Sequence, residues 1–307
     1  MKKVFLFLAS LTIMALACDV AVNIVPPTSQ AHQPTNALVP TSMPPTPISA
    51  SATPVPETAA PSATFTAAPP SNDIHASFGS LSLVIPQGLA GGISGSQLPR
   101  KNEGDAAWWE LDPGHAQINL DGYILQGKFH QPQIFVYPAQ GYVEMLPAAF
   151  ESIHRLDNIL GNPGGAINGK QLPAVPFFNA AQVFASNIQI VTFQSGRGVR
   201  FLTEYAQYAA SANNNDLFYE FQGLTGDGAY YIIAILPITS PILGESSDPT
   251  SAVPVSGVAY PGMGASSADW DAYYHAVTVQ LNAQGPDSFV PTLNQLDLLI
   301  QSIKVAQ

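Results

Sequence analysis

From residue 73 onward the apolar residues recur with two different periods. Over 77–85, Phe78, Leu81, Leu83 and Ile85 are apolar and Pro86 follows, the spacing of one half-buried strand. Further strand-like runs fall within 108–119 and 122–137, the latter ending in Gln133-Ile134-Phe135-Val136-Tyr137. The densest stretch is 187–237. There, runs 188–194 and 199–205 are parted by Ser195-Gly196-Arg197-Gly198, and runs 217–224 and 230–236 by Thr225-Gly226-Asp227-Gly228. Glycine-rich breaks between β-branched and aromatic runs predict hairpins, and the polar linker 211–215 joins the two into an antiparallel meander. Leu217, Tyr219 and Phe221 alternate with Phe218, Glu220 and Gln222, which predicts one more polar face. Run 230–236 is apolar throughout, which predicts cover on both faces.

A 3.6-residue spacing appears three times. Over 142–160 it turns Met145, Leu146, Ala149, Phe150, Ile153, Leu156 and Leu160 inward, with Pro147 in the first turn or bending the helix. From a Ser267 cap to about Ala283 it aligns Trp270, Tyr274, Val277 and Leu281. From near Pro291 it aligns Leu293, Leu296, Ile300 and Ile303. Strands first and helices mostly last predict an α+β fold, an antiparallel sheet flanked by about three helices. Residues 73–307 form this single domain, a length that one core accommodates.

The chain before residue 73 reads differently. Between Pro26 and Asn72 there are 12 prolines in 47 residues, mixed with Thr, Ser and Ala. Proline removes backbone donors and the neighbours bury nothing, so 18–72 predicts a disordered Pro/Thr/Ser-rich tether. At about 3.1 Å per residue its reach is at most on the order of 160 Å. Residues 1–17 have the layout of an export signal: Lys2 and Lys3, an apolar stretch from Val4 to Leu16, then Ala15-Leu16-Ala17 before Cys18.

Ala15-Leu16-Ala17-Cys18 resembles the lipobox of bacterial lipoproteins, with Ala15 where Leu is favoured. The resemblance implies cleavage before Cys18, a diacylglycerol on its thiol and an acylated amino terminus, hence a covalent anchor in the cell membrane facing the extracytoplasmic side. Cys18 is the chain's single cysteine, at the one position this chemistry requires. The segments Asn179-Ala180-Ala181-Gln182-Val183-Phe184, Gly198-Val199-Arg200-Phe201-Leu202 and Phe221-Gln222-Gly223-Leu224-Thr225 are similar to stretches of uncharacterised bacterial envelope lipoproteins. That likeness implies the compartment and lends no activity. An antiparallel sheet with two flanking helix layers would be similar in topology to a PsbP-type sandwich.

Charge narrows the partners. Ten basic against 21 acidic residues give a net charge of −11, which excludes a nucleic-acid binder relying on clustered Lys and Arg. No Gly-x-Ser-x-Gly elbow occurs (Ser94 and Ser195 lack its spacing), and there is no His-Glu-x-x-His, Walker loop or EF-hand. No cofactor and no metal is therefore expected. Glu151 with His154, and Asp271 with His275, share helix faces and read as surface pairs. His115 and His130 read as turn residues. Arg200, Glu204 and Glu220 read as a cross-strand charge set. Trp108 and Trp109, if on a strand, face opposite sides; one is core, and the other is exposed, covered or a stacking platform. They are the candidate ligand-binding residues.

Two loops, 238–266 and 161–181, are long enough to carry function. The leading expectation is a lipid-anchored lipoprotein whose domain binds an unknown protein, small-molecule or glycan ligand without catalysis. The alternative is a secreted hydrolase with a site no motif marks, and a third reading is a structural envelope component. A groove at the loops favours the first, a cleft with a desolvated carboxylate or a Ser–His contact the second, and a flat apolar patch the third.

Overall fold

The computed structural model describes residues 72–306 except Glu103 and Asp105. The expected signal 1–17, Cys18 and residues 19–71 of the expected tether lie outside the described residues. In chain order the strands are β1 (Ile74–Phe78), β2 (Leu81–Ile85), β3 (Gly92–Leu98), β4 (His115–Asp121), β5 (Gln133–Pro138), β6 (Ala181–Phe193), β7 (Gly196–Ala206), β8 (Phe218–Thr225), β9 (Tyr230–Pro237) and β10 (Lys304–Val305). The helices are α1 (Ala139–Met145), α2 (Pro147–Gly161), α3 (Ser267–Ala283) and α4 (Leu293–Ser302). This is an α+β fold.

Seven strands form one antiparallel sheet in the order β3-β4-β5-β9-β8-β7-β6, and β1-β2-β10 form a small second sheet. The meander β6–β9 is the expected one, with β9 central and buried on both faces. One face of the large sheet packs on α1, α2 and the loop before β6, around Phe201, Phe218, Tyr231 and Ile233. The opposite face packs on α3, α4 and the small sheet, around Leu202, Tyr219, Phe221 and Ile232. Across the centre of the meander Gly198 faces Gly223. A Cβ on either would come within 2.6 Å of the Phe221 ring, so that ring needs both glycines.

Several expectations are corrected. The strand expected over 77–85 is the hairpin β1–β2, because Gly79 takes φ +58° and reverses the chain in two residues. Residues 108–110 form a 3₁₀ turn and not a strand; β4 starts only after Asp112-Pro113-Gly114, at His115. Within 122–137 only β5 is extended in the sheet. The helix expected over 142–160 is two helices, because Leu146 precedes a proline and is driven to φ −137°, ψ 122°. With the register so reset, Phe150 faces solvent and Ser152 faces inward, its hydroxyl accepting from Ala174 N at 3.1 Å. The cap of α3 is Ser266, one residue earlier than expected; its hydroxyl accepts from Asp269 N while the Asp269 carboxylate accepts from Ser266 N. Thr292 and Gln295 form the matching box on α4.

The polar face expected on β8 is also buried. Glu220 and Gln222 are inaccessible, beneath α2 and the loop carrying Val175. Periodicity registers polarity and not cover, and here the polar side chains are buried because they bond to one another.

Candidate functional site

The chain's loops converge where β7 ends and β8 begins. Between those strands lies Ser211-Ala212-Asn213-Asn214-Asn215-Asp216; its residues 211–215 read from the sequence as a polar linker, yet its first four positions are buried. Burial is possible because the amides bond internally. The Asn213 side-chain oxygen accepts from Asn215 N and Asp216 N, and its amide donates to Asp216 Oδ2 at 2.9 Å. Asn214 donates to Ser240 O and Leu243 O and accepts from Ser240 N, tying this turn to the loop after β9. On α3, Tyr273 Oη accepts from Ala212 N, and Tyr274 Oη accepts from Ala210 N while donating to Ala210 O. The loop before β5 joins through Phe129 N, which donates to Asn215 O at 3.0 Å.

These ties frame an open groove of about 450 Å³. Phe129 and His130 come from the loop before β5, Phe178 from the loop before β6, Tyr205 and Tyr208 from the end of β7, Asp216 from the Asn-rich turn, and Ser247 from the loop after β9. Both long loops singled out by length therefore reach this one place. The rings interlock: His130 lies 4.3 Å from Phe218 and 5.5 Å from Phe178, and Phe178 lies 4.6 Å from Tyr205. Phe218 is wholly buried beneath them, whereas Phe129 and Tyr208 are 68% and 71% exposed on the rim. Such large exposed rings beside a cavity are a binding signature more than a stability device.

The electrostatics are one-sided. Burial among the rings holds the His130 imidazole down to about 4, against a weaker upward pull from Asp216, so the ring is neutral at neutral pH. Burial pushes the Tyr205 phenol well up, so it stays protonated. Behind the turn, burial also raises Glu204 well above the carboxylate range; its Oε1 accepts from Asn213 N at 2.7 Å. Among the described residues, Asp216 is the acidic side chain lining the groove.

The residues expected from sequence are dispersed. Trp108 and Trp109 meet edge to face at 5.8 Å on the 3₁₀ turn, and Trp108 packs 5.6 Å from Phe177. Trp108 is exposed, and neither ring lines the groove. Cys18 lies outside the described residues. His115 is buried on β4 and not in a turn; its Nδ1 lies 2.9 Å from Pro113 O and its ring 4.3 Å from Tyr137. His130 is part of the groove and not a bystander. The charge set does not form: Arg200 points to the α4 face and Glu220 to the opposite one, since Arg200 stands across from Phe221 and Phe201 from Glu220. Arg200 bonds instead to Asp297, Asn187 O and Gln189 Oε1. Its site beside α4 forms a wide depression of about 610 Å³. His154 stacks on Phe150 and sits 3.3 Å from Asn158 Nδ2. Among the described residues no group of three or more His, Cys, Asp or Glu could hold a metal ion, and no helix is long and apolar enough to cross a membrane.

Sequence reading missed the aromatic groove because its rings come from three separate segments: the loop before β5, the loop before β6 and the end of β7. The legible hint was the Asn213-Asn214-Asn215-Asp216 run, whose amides can build a rigid buried turn. Comparison with protein-family models, curated proteins and solved structures finds no match to this chain.

Proposed function

We propose that the chain is a lipid-anchored extracytoplasmic lipoprotein, held through Cys18, whose domain captures a small ligand in the groove without transforming it. The observation that supports capture is the set of exposed and half-buried rings over a neutral imidazole, in a volume within the about 300–1,000 Å³ range of ligand pockets. The carboxyls most desolvated by burial, Glu204 and Glu220, lie in the core and do not line the groove. A long tether and a covalent anchor would keep such a receptor near the membrane while its groove samples the outside. Two or three acyl chains, at about 0.8 kcal/mol per buried CH₂, make that anchoring effectively permanent. Fractionation tests the anchor: Cys18→Ser should move the protein from vesicles to the soluble fraction, and unchanged sedimentation refutes anchoring. Ligand screening by thermal shift tests capture: hits on the native chain should vanish in Tyr208→Ala/Phe178→Ala.

One observation favours the hydrolase alternative. Ser247, His130 and Asp216 all line the groove, the residue types of a nucleophile, a base and an orienting carboxylate. Yet His130 is wedged between Phe178 and Phe218, and Asp216 is engaged by the amides of Asn213 and Asn215. Covalent labelling of Ser247 by a fluorophosphonate, lost in His130→Ala, would replace capture with catalysis.

A further inference from the structure

The groove's rings and its charge together specify a ligand class. An apolar groove with no charge would favour a neutral hydrocarbon or an uncharged aromatic. Here a carboxylate, Asp216, lines the same space as Phe129, Phe178, Tyr205 and Tyr208, and among the described residues no Lys or Arg lines it. The nearest basic residue along the chain, Lys128, directs its amine to Glu245 at 3.9 Å. The molecule as a whole carries −11, so its long-range field attracts cations. The π-faces of the rings carry negative quadrupole charge, which attracts a cation placed over them.

The polar groups around the groove then distinguish among cations. Asp216 Oδ1 and Oδ2 each already accept an amide N–H, from Asn215 and Asn213, and Asn179 O accepts from Gln207 Nε2 at 2.8 Å. A primary ammonium needs several directed acceptors to replace its water shell. A methylated ammonium holds its water weakly and needs only apolar and negative surroundings, which is what the groove supplies. The neutral His130 ring adds a further flat wall and no opposing charge.

We propose that the groove binds a small organic cation bearing a methylated quaternary ammonium, with the cation over Tyr208, Phe129 and Phe178 and its charge facing Asp216. This rests on the reading of the groove as a capture site and adds the class of ligand captured. Isothermal titration of the full-length chain in detergent, with choline against its neutral isostere 3,3-dimethylbutanol, tests it. Choline should bind at least tenfold more tightly than the isostere, and Asp216→Asn should shrink that ratio at least threefold, the attraction of the rings for the cation accounting for what remains. Tyr208→Ala, at an exposed position that cannot unfold the core, should weaken choline at least fivefold. Equal binding of the two compounds overturns the cationic class and leaves capture standing. If neither compound binds, the cationic class is likewise overturned, and the thermal-shift screen then decides capture separately. A choline preference left at its full size in Asp216→Asn overturns the role given to the carboxylate.

Discussion

On opposite faces of the large sheet, the acidic side chains Asp297 and Glu220 are accommodated by opposite means. On the α3–α4 face, Asp297 is paired: Arg200 Nε lies 3.3 Å from its Oδ1, and Tyr219 Oη donates to the same oxygen at 2.9 Å. On the α1–α2 face, Glu220 has no cation beside it among the described residues. Its Oε1 accepts from Gln222 Nε2, Tyr231 Oη donates to Gln222 Oε1 at 2.7 Å, and Glu220 Oε2 has no hydrogen-bond partner among the described residues. Burial raises Glu220 to about 8, so this side chain stays neutral by keeping its proton, as Glu204 does at the end of β7. A chain with 10% charged residues has few cations to place inside, and proton retention is the solution left where none is placed. The helix layers differ in the same sense. Both α3 and α4 start with reciprocal side-chain caps, whereas α1 and α2 start at Pro138 and Leu146 with none and depend on packing.

Removing a charge from the paired face should cost most. Asp297→Leu leaves the Arg200 guanidinium buried without its carboxylate, and denaturant unfolding should show a loss of about 3–5 kcal/mol. A loss below about 1 kcal/mol would mean that the pair is solvated and the contrast between the faces is false.

The neutral face should instead answer to pH. A carboxyl raised from 4.5 to about 8 binds its proton more tightly when folded. Its contribution is fully present below pH 4.5 and is lost as pH rises through 8, at up to about 1.4 kcal/mol per pH unit. Glu220→Gln should remove that slope, giving a variant more stable than the native chain at pH 8 and no more stable at pH 4.5. Parallel pH profiles for the two proteins would refute proton retention.

The groove should respond in the opposite direction. His130, lowered from 6.5 to about 4, resists protonation when folded, so its contribution is present above pH 6.5 and lost as pH falls through 4. His130→Phe should flatten that acid limb by about 1–2 kcal/mol, which acid titration of the melting temperature reads. The capped layer should show the smallest change: Ser266→Ala should cost about 1 kcal/mol, against about 1.5–3 kcal/mol for each fully buried Leu or Ile that holds the same layer.

Element type was readable wherever local chemistry and final environment agreed. The break at Thr225-Gly226-Asp227-Gly228 is a turn because Gly228 takes φ +71°, whereas the break expected at Ser195-Gly196-Arg197-Gly198 narrows to Gln194-Ser195, with Gly196 and Gly198 inside β7. The apolar run of β9 could only be a central strand, since water tolerates neither of its faces. Reading failed where the outcome depended on a contact distant in sequence. Glu220 reads as solvent-facing until the loop carrying Val175 covers it, more than 40 residues away in sequence, with Val175 O accepting from Gln222 Nε2 at 2.7 Å. Trp108 and Trp109 drew notice by residue type, but their 3₁₀ turn sets Trp108 beside Phe177 and Trp109 against Trp108, neither of them in the groove.

By itself the amino-acid order determined the α+β class, the meander, most of the apolar stripes of α3 and α4 and the change of character at residue 73, because glycine freedom, proline rigidity and apolar period act over a few neighbours. Only the tertiary structure decided which carboxyls keep their protons and which rings meet. Desolvation and ring contact depend on distance in space, and the loops carrying Phe129, Phe178, Tyr208 and Ser247 become neighbours only when the sheet brings their ends to one corner.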